Sequence, residues 1–264
     1  MKTTTIEDLV RWAYLEELPK VAPPRGGRIA PAMLGMASAW AATVGLARMR
    51  SSGSINVHGV VWDPEAEGEP DPVALAVAAA VSDLDGAIVE ELADSDFFGA
   101  WGDLGRLGEA ALDRAWDRVV YVEPVDGGGH LRRLRGSASM TVVVASVTGV
   151  WPDWRGNVPI VVQVLGPNGR PKWVRRVERA VRWDNDGNPV AFDTIEADGM
   201  DRRRGRPYPD AYREEALSPD PTAVLADRIR WAMLHAWFSR LATALDGIGG
   251  RRVSPPDVPA SPWL

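Results

Sequence analysis

Hydrophobic positions recur along this chain in two rhythms, one helical and one extended, separated by stretches rich in glycine and proline. Near the start, Ile6, Val10, Ala13 and Leu18 recur at the spacing of one helix face. Thr5 stands where an N-cap belongs, Glu7 and Asp8 suit the positive end of the helix dipole, and Pro19 ends the run. Residues 29–47, IAPAMLGMASAWAATVGLA, carry no charge and approach the length of a bilayer span. Gly35, Ala39, Ala42 and Gly45 leave small positions for close packing, and arginines flank both ends, so the run reads as a buried helix. Pro72 opens an alanine-rich helix, VALAVAAAVSDLD, and GEAALDRAWDRV reads as another. The strongest helical pattern covers residues 220–246. Asp220 serves as N-cap, Pro221 takes the first helical position and Gly247 is the stop, with Leu225, Ile229, Met233, Ala236 and Leu241 on one broad apolar face.

From Val119 the extended rhythm takes over. VVYVEPV reads as a strand broken by DGGG, VPIVVQV as extended, and KWVRRVERAVRWD with PVAFDTIEA as a hairpin closed by NDGN. GSASMTVVVASVTGVW is ambiguous: its valines favour a strand, whereas Ser137 as a cap and the small residues favour a helix, which is the preferred reading. The expected fold is α+β, with a helical N-terminal part, a small antiparallel sheet in the middle and a long C-terminal helix. The expected organisation is an acidic, mainly helical part over 1–118, a basic α+β part over 119–250 packed with it, and a proline-rich tail over 251–264.

Charge sharpens this picture. A chain of 264 residues can bury a sizeable core, and its net charge of −6 excludes a uniformly basic nucleic-acid binder. The distribution is lopsided: 17 acids face 3 basic residues between Val61 and Asp126, and 10 basic residues face 2 acids between His130 and Arg182. Either the two halves neutralise each other or one of them is a binding face. The absence of cysteine excludes disulfides, thiolate metal sites and cysteine nucleophiles. The acidic N-terminus lacks the apolar run of a signal peptide, which points to a cytoplasmic protein with no membrane role.

Catalytic patterns fail one by one. The three histidines, His58, His130 and His235, have no metal-ligand spacing. Asp63, Glu65 and Glu67 mimic a calcium loop, but Ala74 stands where its final carboxylate belongs. GAWGDLGRLG lacks the lysine and preceding strand of a phosphate-cradling loop. No catalytic residue, cofactor or metal is therefore expected.

Twelve tryptophans remain. Trp12, Trp40, Trp231 and Trp237 lie in helical patterns and read as core. Trp151, Trp154, Trp173 and Trp183 are interleaved with arginines, the combination single-stranded nucleic-acid grooves use for stacking and phosphate contact. The candidate interface consists of Arg132, Arg133, Arg135, Lys172, Trp173, Arg175, Arg176, Arg202, Arg203, Arg204 and Arg206. In DRRRGRPYPDAY, Gly205 and Pro207 deny the arginines a helix and leave them on a loop. Asp198, Asp201 and Asp210 flank them, so the same loop can brace the chain against its own acids.

The segments PDWRGNVP, NGRPKWVRRV, DGMDRRRGRPYPDAYREEALSPDP and PASPW, mainly within residues 150–222, resemble an uncharacterised family of proteins carried by Mu-like prophages. The resemblance implies a phage-encoded protein acting inside a bacterial cell and supplies no catalytic residue. The function expected is a non-enzymatic phage accessory protein binding DNA or RNA through its basic, tryptophan-bearing segment. The alternative is a module that binds or inhibits a host or phage protein through the acidic 61–126 surface.

Overall fold

The hydroxyl of Thr5 accepts a hydrogen bond from the Asp8 amide at 3.2 Å and starts α1, Ile6–Trp12, as the cap pattern predicts. Strand β1, Lys2–Thr5, leads into it. Beyond Trp12 the helix widens into a π turn over Ala13–Glu17 and tightens over Leu18–Lys20, where Pro19 denies it continuation. The structure, a computed structural model, describes residues 2–23, 55–86, 92, 95–125 and 129–264. The uncharged run 29–47 lies outside them.

Glu17 ties this first helical run to the next. Its carboxylate accepts from Lys20 Nζ at 2.9 Å and from the Asp71 amide at 3.0 Å, which together hold it below the usual carboxylate range. Asp71 then caps α2, Pro72–Ser82, by accepting from the Val73 amide at 2.8 Å. Helix α3, Gly105–Val119, runs directly into β2, Val120–Val125, which pairs antiparallel with β3, Gly129–Leu134.

The ambiguous segment is a helix, α4, Ala138–Thr148. Three contacts, one of them from a residue distant in sequence, decide it against the β-branched composition. Ser137 Oγ accepts from the Met140 amide at 2.9 Å, Asp85 accepts from the Ser139 hydroxyl at 2.6 Å and amide at 3.0 Å, and Gly149 closes the end in a left-handed conformation. Val142 is then fully buried.

Helix α5, Thr222–Leu245, is one continuous helix through Met233, and Gly247 follows it at φ +82°. Leu225, Ile229, Met233 and Leu241 are all buried, as expected. The single broad face is not observed, because Ala236 is only half-buried and the buried side changes along the helix. At about 100° per residue, Leu225 and Ile229 point almost opposite to Leu234, Phe238 and Leu241. The C-terminal half joins Ile6, Leu9 and Val10 of α1, Val77 and Val81 of α2, and Val142 of α4 in one apolar core. Strand β11, Arg251–Ser254, returns to lie parallel to β1, with Thr4 opposite Val253. The proline-rich ending is thus built in: Trp231 Nε1 donates to the Pro259 carbonyl at 3.0 Å, and Trp263 is buried.

The N-terminal half of α5 carries a buried cation, Arg228, only 3% exposed. Its Nη1 donates to the carbonyls of Phe97 at 2.6 Å and Phe98 at 2.9 Å, and its Nε to that of Trp154 at 3.1 Å. The guanidinium lies 3.9 Å from the Trp101 ring centre and 5.7 Å from that of Trp263. Trp263 donates its Nε1 to the Asp96 carbonyl at 2.7 Å and stacks on Phe97, whose ring meets Trp116 edge-on. Burial lowers the Arg228 pKa to about 10, with Asp96 acting in the opposite direction, so the group stays charged at neutral pH.

The chain forms two compact units that do not follow its linear order: residues 1–102, 112–155 and 222–264, and residues 103–111 with 156–221. The second unit holds the expected hairpin, β5 Trp173–Trp183 and β6 Pro189–Asp198, closed at Asp184, whose carboxylate accepts from the amides of Asp186 and Asn188. β9, Tyr212–Arg213, adds to the start of β5; β4, Ile160–Gln163, pairs with β10, Glu215–Ser218; and β7, Met200–Asp201, pairs with β8, Arg206–Pro207. The fold is mixed α+β with small antiparallel sheets and a long C-terminal helix. Among the described residues, no helix is long and apolar enough to cross a membrane.

Two stability measurements follow from this packing. Leu225→Ala removes a fully buried side chain and is expected to cost about 2–5 kcal/mol in urea unfolding. Arg228→Leu takes this donor from the carbonyls of Phe97 and Trp154, while that of Phe98 keeps the Trp101 amide, and should cost about 1–3 kcal/mol for each carbonyl left unsatisfied. Arg228→Lys should recover only part of that, since one ammonium cannot reproduce a planar fork. A wild-type melting curve for either Arg228 variant would show that the buried cation does not organise its surroundings.

Candidate nucleic-acid interface

Gly199 positions the arginine loop. Its amide donates to the Trp173 carbonyl at 2.9 Å, and its carbonyl accepts from the Tyr208 amide at 2.9 Å. A Cβ at this position would stand 2.7 Å from the Val174 nitrogen, so only glycine lets the chain lie flat against β5. The segment from Met200 to Pro207 then folds back as β7 and β8. Asp201 shapes the bend between them. Its carboxylate accepts from the Arg203 amide at 2.9 Å and the Arg204 amide at 3.2 Å, while its carbonyl accepts from the Gly205 amide at 2.8 Å. Gly205 supplies the left-handed φ of +64° that closes the turn. Backbone polar groups thus point inward and the arginine side chains outward.

Below this turn lies a groove of about 810 Å³ whose lining includes Arg170, Lys172, Trp173, Glu196, Asp198, Arg202, Arg213 and Glu214. Trp173 is half-buried in its wall, with the Arg213 guanidinium 5.5 Å from its ring centre. The pattern repeats beside it. Arg175 stacks 3.9 Å over Tyr208, and Arg176 lies 5.9 Å over Tyr212, whose hydroxyl donates to Glu196 Oε1 at 2.6 Å. Arg175 Nε is buried without a hydrogen-bond partner among the described residues, so the Tyr208 ring carries much of its desolvation.

Carboxylates are threaded through these cations. Lys172 pairs with Glu214 at 2.5 Å, which raises its pKa, and Arg202 pairs with Asp198 at 3.2 Å. Asp198 is held below the usual carboxylate range first by the Met200 amide and then by Arg202. Arg204 lies 3.6 Å from Asp201. Arg203 and Arg206 are exposed and make no ion pair among the described residues. Counted over the whole second unit, 12 basic residues meet 13 acids, so the part of the basic excess that lies between Arg170 and Arg182 is offset by acids in the same unit.

The structure brings Lys172, Trp173, Arg175, Arg176, Arg202, Arg203, Arg204 and Arg206 into one unit. Arg132, Arg133 and Arg135 belong to the other and are occupied there. Arg133 pairs with Glu123 across the β2–β3 hairpin, and Arg132 lies 6.0 Å from the Trp116 ring centre. Arg135 Nε donates to the carbonyls of Asp117 at 2.6 Å and Val120 at 3.0 Å, satisfying the end of α3. Of the other arginine-flanked tryptophans, Trp151 is core, 4.7 Å from Trp231 and 5.5 Å from Phe238, and Trp183 is exposed on the hairpin.

Sequence reading missed Tyr208, Tyr212 and Arg213. Their signal was the alternation of tyrosine and arginine in RPYPDAYR, which becomes a stacked arrangement only once β9 pairs with β5. Among the described residues, no group of three or more histidine, aspartate or glutamate side chains is arranged to hold a metal.

Asp201 is the residue whose loss should loosen the arginine turn without unfolding the unit. Asp201→Ala is expected to cost about 1 kcal/mol, the worth of a side-chain cap. It should speed amide exchange selectively at residues 203–205. Unchanged exchange there would show that the turn holds without its carboxylate.

The chain matches no protein-family model, no curated protein and no solved structure, so the chemistry of this groove rests on its own residues.

Proposed function

We propose that this chain binds nucleic acid non-enzymatically through the groove of its second unit, with single strands favoured over duplex. The observation that carries the reading is Trp173, half-buried in the groove wall beneath Arg213 and next to Lys172, with Arg202, Arg203, Arg204 and Arg206 exposed on the neighbouring turn. A ring fixed in a groove wall stacks on an unpaired base, and exposed guanidiniums beside it contact the flanking phosphates. In a duplex the base faces are already stacked on each other, which leaves Trp173 without a partner.

The interleaved acids set the strength. Phosphate must displace Asp198 from Arg202 and Glu214 from Lys172, so affinity falls in the range of non-specific binding, about 10⁻⁴–10⁻⁶ M at physiological salt. Arg203 and Arg206 contribute without such exchange. The resemblance of residues 150–222 to a prophage-borne family supports a setting for this reading: a phage accessory protein working in the cytoplasm of a bacterial host.

Titration of labelled single- and double-stranded oligonucleotides against salt tests the proposal. Log affinity should fall with log salt at about −0.7 per phosphate contact for single strands. Replacing Arg203 and Arg204 with alanine should flatten the slope by one to two contacts. Trp173→Ala should cost roughly 1–3 kcal/mol of affinity with little change in slope, because stacking is not ionic. Failure of the wild type to bind either oligonucleotide at low salt would end this reading and transfer interest to the acidic 61–126 stretch and a protein partner.

A further inference from the structure

Strand β4 is unlike the other strands of its unit. Residues 156–169, GNVPIVVQVLGPNG, contain no charged side chain. Val158 is 57% exposed, Ile160 63%, Val161 55% and Leu165 59%. Over Ile160–Gln163 one edge of β4 pairs with β10, and the other edge has no strand partner among the described residues. An uncovered edge that is apolar and uncharged is a template for further strand pairing, which proteins ordinarily suppress with charge.

The neighbouring hairpin shows that suppression. β5 carries Arg175, Arg176, Arg179 and Arg182, and β6 carries Asp193, Glu196 and Asp198. Either strand set antiparallel against itself would bring like charges together. β4 set against itself meets no such penalty, because neither strand carries a charge.

We infer that the open edge of β4 pairs antiparallel with β4 of a second copy of this chain, about a two-fold axis, making a four-stranded sheet in the order β10–β4–β4–β10. A two-fold contact of this kind is closed and self-limiting, so it yields a dimer and not a filament. Four apolar side chains and one strand edge amount to on the order of 500 Å² per copy, below the ~800 Å² per partner of a standard interface. The dimer is therefore weak, dissociating in the micromolar range. The inference is independent of nucleic-acid binding, and its test uses none.

The absence of native cysteine makes the test clean. Four single substitutions, Ile160→Cys, Val161→Cys, Val162→Cys and Gln163→Cys, are oxidised gently alongside Val181→Cys, an apolar site on the hairpin that is 46% exposed. Directly opposed antiparallel residues have Cα atoms about 4.5–5.5 Å apart, within disulfide reach. At least one β4 variant should form a disulfide-linked dimer rapidly, while the hairpin variant stays monomeric. Sedimentation of the wild type should show a concentration-dependent dimer whose dissociation constant rises at least tenfold in Val161→Lys. Gln163→Lys, at an equally open position, serves if that variant misfolds. A wild type monomeric up to roughly 1 mM overturns the inference and leaves the strand to a different partner. A dimer insensitive to both lysine variants and uncrosslinked at all four β4 positions overturns it too, by placing the interface elsewhere.

Discussion

One buried guanidinium organises the larger unit. Among the described residues, Arg228 has no carboxylate at hydrogen-bonding distance; three backbone carbonyls and two indole faces surround it instead. Removing a cation from water is costly, and only a full set of acceptors offsets that cost. The carbonyls come from Phe97, Phe98 and Trp154, and the rings from Trp101 and Trp263, so parts of the chain remote in sequence must converge before α5 can bury the charge. The same cluster seats the C-terminus, because Trp263 both flanks the guanidinium and donates to the Asp96 carbonyl. Gly99 lies so close to Trp263 that an added Cβ would stand 2.4 Å from its carbonyl oxygen. The irregular, glycine-rich stretch after Ser95 is thus shaped by what it must wrap.

The second unit handles charge the opposite way. Its cations stay near the surface, where Lys172, Arg175, Arg176, Arg202, Arg204 and Arg213 sit beside an aromatic ring or a carboxylate from the same unit. Exposed pairs of this type contribute only about 0–1 kcal/mol each, so they exchange partners readily. That makes brace and binding surface compatible in one loop: Asp198 and Asp201 hold the arginine turn in shape, while Arg203 and Arg206 remain open to solvent. Near-neutrality of the unit as a whole means that any attraction for an anion is local to the groove and screened over roughly 8–10 Å.

Strand edges divide the same unit by a related logic. Charges segregated by strand on β5 and β6 favour their mutual pairing, with Arg176 opposite Glu196 and Arg179 opposite Asp193. They disfavour each strand's pairing with itself. β4 has no charge and, among the described residues, no strand on its second edge, and its exposure is the feature of the unit least explained by the needs of folding alone.

Short-range order was legible from residues. The cap at Thr5, the proline-led helix after Asp71, the hairpin around NDGN and the long helix ending before Gly247 all follow from periodicity and local hydrogen bonds spanning a few positions. Segment 137–150 lay at the limit of that reading, since β-branched composition and a serine cap pull in opposite directions, and Asp85, more than fifty residues away, completes the choice. Of the candidate site, the arginines and Trp173 were visible as a local cluster. Their separation from Arg132, Arg133 and Arg135 was not, nor were their pairings with Tyr208, Tyr212, Glu214 and Asp198. Tertiary structure alone decided the parallel pairing of β1 with β11, where Ser254 Oγ donates to the Thr4 carbonyl across 250 residues, and the use of Arg228 as a core residue. Local patterns are set by energies within one or two turns of chain, whereas the partner of a charge or a strand edge is chosen only after distant segments have met.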